Sequence, residues 1–170
     1  MKRLFVALAL VAVVAAALAL TAGRGGSTGG ETAGPVVPAL SVPRMDGTGS
    51  FELSQLASAK SPTLLWFWAP WCEICNQEAP AIEQLAEQAR GELAVVAIGG
   101  RDDFANGPAF VERHALRTPT LLFDESMRSW HAYRIPGQPG AVLLGRDGRE
   151  RDRWLGAFDT QLALDAARAL

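Results

Sequence analysis

The hydrophobic pattern of the chain alternates between the period of a strand and the period of a helix. Residues 62–70, PTLLWFWAP, are almost continuously apolar, which predicts a strand buried on both faces. From residue 72 to about residue 90, apolar side chains recur at helical spacing, and Gly91 follows as a stop signal. Residues 92–100, ELAVVAIGG, predict a second buried strand.

The second half of the chain continues this alternation with shorter elements. The pattern predicts a helix over residues 104–115 and a short strand over residues 120–124. Residues 141–155 read as a hairpin around an Asp-Gly turn, and Asp159 is placed to cap a final helix. Strands separated by helices predict an α/β fold with a mostly parallel sheet, to which the hairpin adds an antiparallel edge.

The beginning of the chain has the pattern of an export signal. Lys2 and Arg3 precede residues 4–20, a run of 17 apolar residues without a charge. This run is longer than the apolar part of an ordinary signal peptide and only just long enough to span a bilayer. Residues 1–22 are therefore predicted to be a signal peptide, cleaved near residues 17–19, or an uncleaved membrane anchor. Either alternative places the protein outside the cytoplasm.

The rest of the chain is predicted to hold one folded domain. Residues 23–38, GRGGSTGGETAGPVVP, offer little to bury and predict a flexible linker, so the domain spans residues 39–170. A chain of 170 residues with 49% hydrophobic side chains can form one such core, but not two. The formal net charge of −2 comes without long runs of either sign, so no nucleic-acid partner is expected.

The chemistry of the chain centres on its two cysteines, Cys72 and Cys75. The pair could be a structural bridge, half of a metal site or a redox pair. A bridge over so short a loop removes little chain entropy, and His114 and His131 do not by themselves complete a zinc site, so no metal is predicted. Cys72 follows a buried strand and begins a helix, where free backbone N–H groups favour a thiolate. We therefore predict that Cys72 attacks and that Cys75, one turn further in, resolves the mixed disulfide.

Three segments resemble the thioredoxin-like proteins, and most closely the exported TlpA/ResA/DsbE-type thiol–disulfide oxidoreductases. They are FWAPWCEIC (residues 67–75), NQEAP (residues 76–80) and IPGQPGAVLLGRDG (residues 135–148). The resemblance covers about residues 39–170. It implies the thioredoxin fold, a central mixed sheet flanked by helices, with the Cys72–Cys75 disulfide as the redox group and no other cofactor.

The resemblance also implies a substrate-binding loop with a cis-proline opposite the cysteines. Pro119 and Pro139 compete for this position. Pro139 is followed by a strand, a turn and a second strand, which is the order of elements in the family, so we assign the role to Pro139. Gln138 would then offer its backbone to the substrate, and Trp71, beside the first cysteine, would lie at the rim of the site.

An acidic group for proton transfer is missing from its usual place. Thioredoxin has a buried acid six residues before the first cysteine, where this chain has Trp66. Glu78, one helical turn after Cys75, matches an acidic position of the exported branch and is the expected replacement. Glu73 places a second carboxylate beside Cys72, which favours a reductant, whereas the helix end acts in the opposite sense.

The sequence therefore predicts an exported thiol–disulfide oxidoreductase. Its partners would be exported proteins with cysteines, for example apocytochrome c awaiting haem, and an unidentified redox partner in the membrane. It would act as a reductant of such proteins or as an oxidant during their folding. The alternative is a non-catalytic binding module on the same fold, whose disulfide is inert.

Overall fold

A computed structural model describes residues 37–170 of the protein. The predicted signal or anchor over residues 1–22, and the predicted linker as far as residue 36, lie outside the described residues. Val37, near the end of the predicted linker, is buried against the domain. No helix within the described range is long and apolar enough to cross a membrane.

A five-stranded mixed sheet forms the centre of the domain, in the order β5-β4-β3-β6-β7. β3 pairs in parallel with β4 and antiparallel with β6, so it lies in the middle. A separate two-stranded hairpin, β1-β2, precedes the sheet. The strands are β1 (Ser41–Pro43), β2 (Ser50–Glu52), β3 (Thr63–Trp68), β4 (Ala94–Gly99), β5 (Thr120–Phe123), β6 (Gly140–Leu144) and β7 (Glu150–Leu155).

Helices cover both faces of this sheet. α1, α2 and α4 pack with one face in the larger hydrophobic cluster. α3 packs on the other face, together with the β1-β2 hairpin and the 3-10 helix that follows it. The helices are α1 (Glu73–Gln88), α2 (Gly107–Arg113), α3 (Arg128–Ala132) and α4 (Thr160–Arg168), and the 3-10 helices are Leu53–Ser58 and Phe104–Asn106.

The residues of β3 divide the core between these two layers. Trp66 and Trp68 point into the larger cluster, and Phe67 points into the other. All three side chains are fully buried, as the continuous apolar run predicts. The tryptophan rings are further held by Phe110 of α2, which stacks on Trp68 with ring centroids 4.2 Å apart.

The structure confirms the α/β fold with a central mixed sheet, and the β6-β7 hairpin forms one antiparallel edge as predicted. The sheet is not mostly parallel, however, because β6 also pairs antiparallel with β3, so its two parallel ladders are matched by two antiparallel ones. β1, β2 and α3 were not predicted, because elements of three to five residues are too short to show a period.

Asp124 organises the turn between β5 and α3. Its buried carboxylate accepts hydrogen bonds from the backbone N–H and the hydroxyl of Ser129, at 2.7 and 2.6 Å, and from the hydroxyl of Ser126. Burial alone would raise the pKa of Asp124, but the hydrogen bonds from Ser126 and Ser129 outweigh it and hold the pKa below its usual value. The ionised carboxylate therefore stabilises the fold.

Replacing Asp124 by Asn should lower the free energy of unfolding by about 1–2 kcal/mol at neutral pH, because charge-assisted hydrogen bonds are lost. Since the folded-state pKa is depressed, this contribution is complete above the unfolded value of about 3.9 and is lost as the pH falls through the folded value. Urea unfolding of wild type and Asp124→Asn should therefore give a difference that shrinks as the pH falls below the unfolded value of about 3.9.

Asp103→Asn is the matched control, because this exposed carboxylate makes no capping hydrogen bond. It should leave the unfolding free energy nearly unchanged across the same range. A difference for Asp124→Asn that persisted undiminished in acid would contradict the assignment.

Candidate active site

The two cysteines lie where β3 gives way to α1. Cys72 is the N-cap of α1, and its Sγ accepts a hydrogen bond from the backbone N–H of Cys75 at 3.1 Å. The pair forms a disulfide with the Cα atoms 5.2 Å apart. Cys72 retains 5% of its surface and Cys75 none, so Cys72 is the more accessible of the two. The backbone donor at the helix end would equally stabilise a thiolate on Cys72 after reduction.

A cis-proline loop lies at the same end of the sheet. The peptide bond between Gln138 and Pro139 is cis, and no other cis bond occurs in the described residues. Gly140, the next residue, opens β6 and pairs with Phe67, one residue before the end of β3. The cis-proline loop and the cysteines therefore lie at the same end of these two paired strands. Pro119 precedes β5 instead.

Glu78 is half-buried and is held by two donors. The indole Nε1–H of Trp66 donates to its Oε2 at 3.0 Å, and the backbone N–H of Phe158 donates to its Oε1 at 3.0 Å. Burial raises the pKa of Glu78, and these two hydrogen bonds only partly offset the effect. Glu78 is thus not a freely solvated helix residue, and it lies one turn from Cys75 on the same helix.

Trp71 and Ile74 form an exposed apolar surface around Cys72. Their exposed fractions are 59% and 44%, so both side chains lie at the protein surface. Trp71 is not loose, because its Nε1–H donates to the carbonyl of Arg101 at 3.0 Å. Ile74, by contrast, belongs to the apolar stripe of α1 in sequence but points away from the core.

Sequence reasoning missed the contact between Asn76 and His114. The Asn76 Nδ2 donates to the carbonyl of Cys72 at 2.7 Å, and its Oδ1 lies 2.8 Å from the Nε2 of His114. Arg113 donates to the same Oδ1 at 3.2 Å. Burial lowers the pKa of His114, and the neighbouring charge of Arg113 adds to this effect. The spacing of four residues between Cys72 and Asn76 was the one signal for this contact in the sequence. Nothing in the sequence identified His114, the residue that follows α2, as the partner of Asn76.

Neither histidine joins the cysteines. His114 is engaged with Asn76, and His131 is exposed on α3. Across residues 37–170, no three His, Cys, Asp or Glu side chains come together as a metal site.

Asn76→Ala should lower the unfolding free energy of the oxidised protein by about 1 kcal/mol, because the carbonyl of Cys72 loses its side-chain donor and keeps only the backbone N–H of residue 76. His114→Ala should also destabilise the protein. If the two side chains act as one unit, the double variant will lose less than the two single losses combined, by at least about 0.5 kcal/mol. Urea unfolding of the four proteins measures this coupling. Strict additivity would show that His114 does not hold Asn76.

Comparison with known proteins gives consistent matches. A model of the AhpC/TSA family matches residues 33–153. The soluble secreted antigen MPT53 of Mycobacterium tuberculosis is 39% identical over 87 residues, which is 51% of this chain and 49% of that protein. The thioredoxin-like protein YneN of Bacillus subtilis is 32% identical over 115 residues, 65% of this chain and 66% of YneN. The chain thus spans about half the length of the first of these curated relatives.

Two solved structures have the same fold. MTB DsbF, in its mixed oxidised and reduced forms, superposes with a TM-score of 0.70 at 29% identity, over 79% of this chain and 98% of that one. A secreted Mycobacterium tuberculosis disulfide oxidoreductase homologous to E. coli DsbE gives a TM-score of 0.66 at 29% identity, over 78% of this chain and 96% of that one.

Proposed function

The chain belongs to the AhpC/TSA family, and from that membership and its thioredoxin fold we propose that it is an exported thiol–disulfide oxidoreductase. Its substrates are cysteine-containing proteins outside the cytoplasm. The observation that carries this proposal is the Cys72–Cys75 disulfide at the start of α1, with the Cys72 Sγ held by a backbone N–H. The secreted relatives support the location.

In the reducing direction, the Cys72 thiolate attacks one sulfur of a substrate disulfide and expels the other as a thiolate. The new bond joins Cys72 to the substrate. Cys75 then loses its proton and attacks the Cys72 sulfur, which releases the second substrate thiolate and forms the Cys72–Cys75 disulfide. Two electrons pass from the protein to the substrate, and the reverse sequence oxidises a substrate dithiol.

Glu78 accepts the proton of Cys75 in this scheme, directly or through water. A carboxylate with a raised pKa is a better match to a thiol than an ordinary glutamate, because proton transfer is less uphill. The indole of Trp66 orients the acceptor through its Nε1–H. The acid thus lies on α1, held by Trp66, and not on β3 as in thioredoxin.

The substrate chain would lie between Trp71 and the cis-proline loop. The exposed indole of Trp71 offers an apolar contact, and Gln138 offers its backbone beside Pro139. The cysteine pair itself cycles between the dithiol and the disulfide, so the exchange needs no bound cofactor. A redox partner in the membrane would regenerate the pair, and the N-terminal segment would keep the domain near it if uncleaved.

The exposed carboxylate of Glu73 next to Cys72 favours the reducing direction. A negative neighbour destabilises the Cys72 thiolate, and with it the reduced form of the pair, so the pair gives up its electrons more readily. Apocytochrome c is one candidate among exported proteins whose cysteines must be reduced. Equilibration of the pair with a glutathione buffer measures the direction.

Cys75→Ser should trap the reaction halfway. Reduced Cys75→Ser will form a stable mixed disulfide with an oxidised substrate protein, whereas Cys72→Ser will form none, because only Cys72 is placed to attack. Non-reducing electrophoresis and mass spectrometry detect the adduct. Both variants lose the same intramolecular disulfide, so each serves as the other's control for stability. Trapping by neither variant would favour a binding module with an inert disulfide.

Glu78→Gln should slow the release of a preformed mixed disulfide by roughly tenfold or more, because a positioned base is lost. In wild type the rate should fall as Glu78 is protonated, at a pH above that of an ordinary glutamate. Trp66→Phe removes one donor to the carboxylate, so it should raise the pKa of Glu78 further and move the profile to higher pH. Stopped-flow measurement of substrate release against pH tests both variants.

Trp68→Phe is the matched control for this series. The Trp68 Nε1 is buried and has no hydrogen-bond partner in the described part of the chain. Removing it should leave the pH profile in place. An identical displacement in Trp66→Phe and Trp68→Phe would show that packing of the indole rings, not the hydrogen bond to Glu78, sets the profile.

A further inference from the structure

A groove with a cationic lining lies beside the cysteine site. It has a volume of about 650 Å³. Its cationic or titratable side chains are Arg101, His131 and Arg134, and its apolar lining comes from Met127, Trp130 and Ile135. The three polar side chains are exposed, whereas Trp130 and Ile135 are buried.

Arg101 joins this groove to both halves of the site. Its carbonyl accepts the indole N–H of Trp71 at 3.0 Å, next to the attacking cysteine. Its guanidinium donates from Nη2 to the carbonyl of Pro136 at 2.8 Å, in the segment that leads to the cis-proline. A substrate segment bound between Trp71 and Pro139 therefore passes close to the groove.

The positive charges of the groove are not neutralised from within the domain. None of the ion pairs within 4.0 Å among residues 37–170 involves Arg101, His131 or Arg134. Two of the nearby acids are used elsewhere: Asp102 accepts from Asn106 and from the backbone N–H of Asp103, and Glu125 accepts from the backbone N–H of Phe104. The third, Asp103, is exposed and, among the described side chains, forms no ion pair with the groove. An arginine without a carboxylate partner is available to a carboxylate from outside.

The backbone is strained at the same place. Arg101, Met127 and Arg134 have φ angles of 58°, 59° and 53°, in the left-handed region that favours glycine. All three line the groove. Strain of this kind collects at functional sites, where the surrounding structure holds a particular side chain in place.

We infer that this groove binds an acidic side chain of the substrate polypeptide, a few residues from the reacting cysteine. The inference rests on the proposed function and adds a substrate class to it: exported proteins whose cysteines are flanked by Glu or Asp. Arg101 and Arg134 pair with the carboxylate, and the apolar lining accepts the methylene groups of a glutamate. The chain has a formal net charge of −2, which would repel an acidic substrate. A preference for acidic segments would therefore come from this groove and not from the overall charge.

Three synthetic peptides test the preference. Each has one cysteine, activated as a mixed disulfide with 2-thiopyridone, flanked by two Glu, two Gln or two Lys. The Cys72 thiolate of the reduced protein displaces thiopyridone, and Cys75 then releases the peptide thiol. Release of thiopyridone gives the rate, which is divided by the rate of the same peptide with 2-mercaptoethanol to remove intrinsic reactivity. We expect the Glu peptide to react roughly fivefold faster than the Gln peptide, as a partly exposed ion pair allows, and the Lys peptide to react more slowly.

Variants locate the preference. Arg134→Gln and Arg101→Gln should each lower the ratio of Glu to Gln rates by roughly twofold or more. Arg134 is the cleaner test, because its side chain forms no hydrogen bond or ion pair with the described residues. Arg146→Gln is the control: it removes the same charge from the exposed turn between β6 and β7, at the other end of the sheet, and should leave the ratio unchanged. Raising the salt to about 0.5 M should shrink the wild-type ratio.

The outcomes separate the two proposals. If wild type does not release thiopyridone from the Gln peptide faster than a Cys72→Ser protein does, the oxidoreductase proposal fails. If the Glu and Gln peptides react equally, the groove does not select acidic segments and the oxidoreductase proposal stands. A preference that survives both arginine variants, or falls equally in Arg146→Gln, would overturn the assignment to the groove.

Discussion

The burial of β3 on both faces is the constraint on which the rest of the domain depends. Every residue from Thr63 to Trp68 is buried, and the strand pairs with β4 on one side and β6 on the other. A strand with no free face and no free edge has one possible position. Its end therefore fixes the turn that carries Cys72, and its pairing with β6 fixes where the cis-proline loop emerges. The apolar run of β3 has no reactive side chain, but it determines where the cysteines and the cis-proline loop lie.

The same strand carries Trp66 at the position where thioredoxin has a buried acid. An indole in the core must give its N–H to an acceptor or lose the hydrogen bond that water would provide. Trp66 finds that acceptor in Glu78 on α1, across the packed interface between strand and helix. Partial burial raises the pKa of this carboxylate, and a raised pKa would favour the proton transfer from Cys75 that we propose. The departure from the thioredoxin pattern, Trp66, and the acid proposed to replace it, Glu78, are thus joined by one hydrogen bond.

Much of this could be predicted because the signals were local. The apolar run of β3, the apolar face of α1 and the Asp-Gly turn can each be seen in a short stretch of sequence. The two cysteines lie directly between the predicted strand and the predicted helix. The partner of β6 could not be predicted, because nothing in the sequence of a hairpin specifies which strand it will join. The Asn76–His114 contact was missed for the same reason, since its partners are 38 residues apart on different helices. Local patterns report what an element is, whereas tertiary packing decides what it meets.

Arg101 shows how such long-range contacts assemble a site from unrelated segments. It lies just beyond the end of β4, in a loop with no motif of its own. Its carbonyl holds Trp71, 30 residues earlier, and its guanidinium holds Pro136, 35 residues later. Trp71 neighbours Cys72 and Pro136 leads to the cis-proline, so one residue ties together the two segments between which we propose that a substrate binds. Arg101 makes both contacts with a φ of 58°, in the left-handed region that favours glycine, so the backbone is strained at the residue that links the two segments.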